Sequence, residues 1–74
     1  MTVDQKHQLR LLPSIDELLQ SAAGQRLISL YSRTVTLHAI RTTLAQARAD
    51  IRHGAACPAP EVLLVRAEHL LQPA

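Results

Sequence analysis

The sequence has four histidines, a single cysteine and eight positive side chains, all but one of them arginine, and these are the groups that could do chemistry. Histidines invite a metal. Yet His7 stands near the start, and His38, His53 and His69 are separated by 15 and 16 residues. No pair has the i, i+4 spacing that sets two imidazoles on one helical face, so they read as exposed or helix-end residues. Cys57 precedes Pro58 with no identifiable base, which disfavours nucleophilic catalysis. Ser14, Asp16 and Glu17 resemble a catalytic cluster only on paper. Ser-x-x-Glu is a capping box, and acids are favoured at a helix N-terminus. Tyr31, a lone aromatic in an apolar segment, reads as core. There is no phosphate loop and no Gly-rich dinucleotide fingerprint. The sequence therefore assigns no catalytic residue, metal ligand or cofactor-binding residue.

The arginines are more informative. Arg41, Arg48 and Arg52 follow at steps of seven and four, which at roughly 100° per residue puts them within about 40° of one another on a helix. His38 borders the same stripe. No Asp or Glu stands three or four residues from any of the three, and Arg48 and Arg52 repel across one turn. One account is a solvated face, with cations near a helix C-terminus where the dipole favours them. The other is a surface for an external anion, because guanidinium suits bidentate phosphate contacts. Arg33 and Arg26 are weaker candidates for the same duty. The net charge of +2 and pI near 9.3 permit nucleic acid without requiring it.

The elements that position these residues are helices. Apolar content is 47%, with one Tyr and no Phe or Trp, so Leu, Ile, Val and Ala must fill the core. That composition favours packed helices over an aromatic-rich sandwich. Residues 1–8 are polar and lack periodicity, which predicts a mobile tail. Leu9, Leu11 and Leu12 after it are expected to fold back as an apolar arm or a short turn. A first helix is expected over about 14–23, stopped by Gly24, and a short second one over about 25–31. The longest is expected over about 34–52, with Leu37, Ile40, Leu44, Ala47 and Ile51 as its seam and Gly54 as its end. Residues 55–60 contain two prolines and read as a linker. A last helix over about 61–71 has Leu63, Ala67, Leu70 and Leu71 on one side and Val62 and Val65 elsewhere, which points to burial on more than one side. The expected fold is all-α: a small bundle of three to four helices, with a long basic third helix and a partly detached C-terminal helix. Its core is expected to be Leu18, Leu19, Leu27, Ile28, Leu30, Ile40, Leu44 and Ile51. The lone cysteine fits a reducing compartment. No apolar run reaches the ~18 residues of a membrane span, and the start lacks a signal peptide's apolar core. A cytoplasmic location is expected.

"LPSIDELLQ" at 12–20, "LYSR" at 30–33 and "LHAIRTTLAQARADIRHG" at 37–54 occur in an order that resembles the N-terminal domain of bacterial selenocysteine synthases. The likeness covers roughly residues 9–71, and its most specific element is Leu12, Pro13, Ile15, Asp16, Leu18 and Leu19. Two departures stand out. The family usually carries Gly after the Tyr, where this chain has Ser32, a residue ill-suited to a tight left-handed turn. Its long helix is often more acidic, where Ala45 and Gln46 stand here. The resemblance implies a full-length pyridoxal-phosphate enzyme that converts seryl-tRNA(Sec) to selenocysteinyl-tRNA(Sec) with selenophosphate. Its Schiff-base lysine belongs to a large catalytic domain outside these 74 residues, so no catalysis and no cofactor are expected here. Residues 9–54 become a tRNA-recognition domain reading the elbow and D-arm, and residues 61–74 a helix leading towards the catalytic domain. The implied partners are tRNA(Sec) and that catalytic domain. These residues alone are expected to be monomeric, and the full-length protein a homo-oligomer. The competing readings are a helical docking or assembly module without RNA contact, and a helix-turn-helix DNA binder over residues 25–52. The latter lacks Gln/Asn/Arg clustering at the start of its third helix.

Overall fold

Five helices follow one another in the computed structural model, which describes residues 3–72: α1 (Val3–Leu11), α2 (Ile15–Gln20), α3 (Ala22–Tyr31), α4 (Arg33–Arg52) and α5 (Pro60–Leu71). Among the described residues there is no strand, and the all-α expectation holds. The tail expected over residues 1–8 is instead helical from Val3, while Met1 and Thr2 lie outside the described residues. Asp4 in the first turn and Arg10 in the last complement the dipole of α1. Polar ties hold it in place. The Gln5 amide donates to the Arg52 carbonyl at 3.2 Å, and the Gln8 side-chain oxygen accepts from the Cys57 N–H at 2.7 Å. Amide ties of this kind leave no hydrophobic period in the sequence.

The capping box is half realised, with the Ser14 hydroxyl accepting from the Glu17 N–H at 3.1 Å. The helix that starts there is shorter than expected. It breaks at Ser21, whose hydroxyl donates to the Leu18 carbonyl at 2.7 Å and accepts from the Gly24 N–H at 3.0 Å, capping α3. Gly24 is therefore no helix stop. It lies buried inside α3, and a Cβ there would collide with the Leu18 carbonyl oxygen. Glycine lets the backbones of α2 and α3 touch.

Ser32 joins α3 to α4 at φ 96° and ψ 158°, a left-handed joint made by a serine. Its N–H donates to the Ile28 carbonyl at 2.9 Å and its carbonyl accepts from Thr36 N–H at 3.2 Å, so it closes one helix and opens the next. Gly54, at φ 101°, ends α4 as its position asks. Its N–H reaches the Ile51 carbonyl at 3.0 Å and the Ala55 N–H reaches Asp50 at 2.9 Å, the paired bonds of a Schellman stop. Pro60 then occupies the first turn of α5, where no N–H is needed.

α4 is the spine. Thr36, Ala39, Ile40, Thr43, Leu44, Ala47 and Ile51 are buried along it, and α5 packs on it more extensively than any other helix pair does. The last helix is thus integrated rather than partly detached, with Leu63, Leu64 and Ala67 buried. Arg26 of α3 clamps Glu68 of α5 through two hydrogen bonds of 3.3 and 3.1 Å. Two expected inward leucines turn outward: Leu30 is 60% exposed and Leu70 57%. Leu27 is buried on α3 as expected, and on α5 the inward position falls to Leu64, which the expected face did not include. The molecule measures 39 × 26 × 16 Å. Each helix keeps a row of exposed residues beside its buried ones.

Candidate nucleic-acid interface

The buried seam of α4 fixes where its arginines go. Ile40, Ala47 and Ile51 are almost fully buried, and Arg41, Arg48 and Arg52 each follow one of them directly. One residue is about 100° of helix, so each guanidinium is turned to the same flank of the spine. All three are exposed, and among the described residues none pairs with a carboxylate. Asp50, the one acid on α4, is partly buried and accepts from the Gln46 amide at 3.0 Å. It sits about 200° round the helix from Arg48 and leaves the stripe unneutralised.

Arg33 and Arg26 are placed differently. Arg33 is exposed and opens α4, where the dipole disfavours a cation. It stands eight residues before Arg41, about 12 Å along the axis. Arg26 is engaged by Glu68, and the carboxylate that accepts its two hydrogen bonds pushes the guanidinium further up from its ordinary value. The structure brings Arg41, Arg48 and Arg52 together and leaves Arg26 clamped between helices. Two further exposed cations, Lys6 in the expected tail and Arg10 just after it, stand on α1. Their helix docks at the end of α4.

The remaining candidates for chemistry stay apart. Among the described residues no three His, Cys, Asp or Glu side chains gather as metal ligands. Burial pushes the Cys57 thiol up from its ordinary value, and its Sγ lies 3.4 Å from the Pro58 carbonyl oxygen. Two shallow hollows of about 200 and 230 Å³ lie along α4 and α5, lined chiefly by Val35, Thr42, Thr43, Arg66 and Leu70. They fall short of the ~300–1,000 Å³ usual for small-molecule sites. Lys6, the chain's one lysine, is exposed on α1 and lines neither hollow. Neither hollow therefore offers a lysine to pyridoxal phosphate. No helix among the described residues is long and apolar enough to cross a membrane.

Against known proteins, residues 9–48 match the family model described as selenocysteine synthase N terminal. An L-seryl-tRNA(Sec) selenium transferase of Rhizobium meliloti (strain 1021) is 38% identical over 50 residues, which are 68% of this chain and 11% of that protein. The chain thus spans a small part of its relative's length. No solved structure matches. The family match runs from the last three residues of α1 through the capped α2, the serine-jointed α3 and α4 as far as Arg48. On that match the chain belongs to the selenocysteine synthase N-terminal family.

Proposed function

We propose that this domain binds tRNA(Sec) through Arg41, Arg48 and Arg52, and so serves a full-length enzyme that makes selenocysteinyl-tRNA(Sec) from seryl-tRNA(Sec) and selenophosphate in the cytoplasm. The observation that carries the reading is the exposed, unpaired arginine stripe on one flank of a rigid twenty-residue helix. Family membership supports tRNA(Sec) as the anion. A stripe of this kind contacts phosphates and sets register, while discrimination comes from the shape of the folded RNA. Arg33 is a secondary contact. Arg26 is the weakest contact of the five, because Glu68 of α5 already neutralises it. The pyridoxal phosphate and its lysine belong to the catalytic domain of the same chain, and these residues perform no step of the reaction.

The test is fluorescence anisotropy with labelled tRNA(Sec), with an ordinary serine tRNA alongside, at several salt concentrations. Binding is expected to weaken steeply with salt as neutralised phosphates release counterions. Replacing Arg41, Arg48 and Arg52 together by Gln is expected to abolish binding, and replacing one of them to lower the logarithmic salt slope by about one unit. If the triple variant binds as tightly and with the same slope, the stripe is a solvated face. The docking-module reading then takes its place, favoured by the exposed Val35 and Leu70 beside the hollows.

A further inference from the structure

The helix that replaces the expected tail carries a second pair of cations with the same signature as the stripe. Lys6 and Arg10 are four residues apart on α1, both exposed, and so share one side of that helix. Neither has an Asp or Glu three or four residues away, and among the described residues neither makes an ion pair. They repel each other across one turn, in a helix of nine residues that would be marginal alone. The rest of α1 is spent on docking. Gln5, Gln8 and Leu9 are partly buried, Gln5 donates to the Arg52 carbonyl, and Gln8 accepts from Cys57 beyond the end of α4. Arg52 is thus the meeting point, with its side chain in the stripe and its carbonyl holding α1.

We infer that α1 extends the anion-binding surface beyond the C-terminal end of α4, with Lys6 and Arg10 contacting phosphates of the same RNA. The inference rests on the tRNA reading of the arginine stripe and adds a second element to it. The polar ties to Arg52 and Cys57 are what make α1 part of the surface. The stripe supplies contacts along about 17 Å of α4, from the rise of 1.5 Å per residue, and α1 prolongs that track around the helix end. An extended backbone is followed better by two elements than by one, because each further neutralised phosphate adds its own counterion release.

The experiment uses the 74-residue chain and a labelled tRNA(Sec) transcript, with salt slopes for three variants: Lys6→Gln with Arg10→Gln, Lys6→Glu with Arg10→Glu, and the Arg41, Arg48 and Arg52 triple Gln. Circular dichroism checks that helicity is kept. The Gln pair is expected to lower the salt slope by one to two units and weaken binding roughly ten-fold near physiological salt, with a larger loss for the Glu pair. If the triple variant loses binding while both α1 variants keep the wild-type slope and affinity, α1 is packing only; the inference falls and the stripe reading stands. If the triple variant also binds normally, both fall together.

Discussion

At Ser32 a side chain occupies a backbone region, φ 96° with ψ 158°, that is essentially reserved for glycine. Such a residue carries strain of order 1–3 kcal/mol. Its compensation is small, since the hydroxyl accepts from the Val35 N–H at 3.5 Å, a long bond. Ser32→Gly loses a few tenths of a kcal/mol as a cap and about 0.5–1 kcal/mol in backbone entropy. Strain relief wins, and a net gain of about 1 kcal/mol is expected in urea melts; a destabilised variant would show that the serine is at ease there. Gly24→Ala runs the other way. Alanine is the better helix former by about 1 kcal/mol, but its Cβ meets the backbone oxygen of Leu18, which cannot swing aside. Overpacking of ~1–3 kcal/mol should leave the variant less stable on the same melts. Cys57 gives a pH signature. Its thiol is raised by burial, so the folded state favours the protonated form; that contribution is present below the ordinary thiol pKa and fades as pH rises through the raised one. Alkylation by iodoacetamide at about pH 8 should be slower in the folded chain than in urea, since the thiolate is the nucleophile. Equal rates would show a thiol already as free as in the unfolded chain.

Among the elements, α4 was legible because several signals agree over its length: a three-four seam, arginines beside it, and Gly54 after it. The two glycines show the limit of that reading. Gly54 and Gly24 look alike in one dimension, yet one needs a positive φ and the other needs room against α2, a contact no local pattern records. α1 was missed because its ties are amides to backbone rather than an apolar face. The cation stripe was legible, but the exclusion of Arg26 from free cations was not, since its partner is 42 residues away. In α5 the helix was visible and its inward face was partly misplaced, with Leu64 buried and Leu70 open. That difference can be measured. Leu64→Ala should cost ~2–5 kcal/mol, in the range of buried leucines, whereas Leu70→Ala should stay within about 0.5 kcal/mol. Equal effects in urea melts would mean that α5 sits on α4 in another rotation.

At the scale of the molecule, small size sets the energetics. A chain of this size has a core worth ~3–5 kcal/mol, and every helix keeps exposed residues. Anything that binds the folded state then changes its stability visibly. A ligand at one hundred times its Kd adds about 2.7 kcal/mol, comparable with the whole reserve. In a domain this small that is a rise of roughly 10–20 °C in Tm, at about 4–8 °C per kcal/mol. The stripe itself contributes little to folding. Removing it relieves the Arg48–Arg52 repulsion, worth ~0.2–0.5 kcal/mol, and loses a dipole interaction of ~0.3–1 kcal/mol near the end of α4. The two nearly cancel, and the triple Gln variant should melt within a few degrees of the parent when no RNA is present. Adding tRNA(Sec) at low salt should raise the Tm of the parent and not of the variant, and the rise should vanish as salt screens the phosphates. A variant that melts far lower without RNA would tie the arginines to folding instead. An equal rise in both proteins would place the RNA on some other surface.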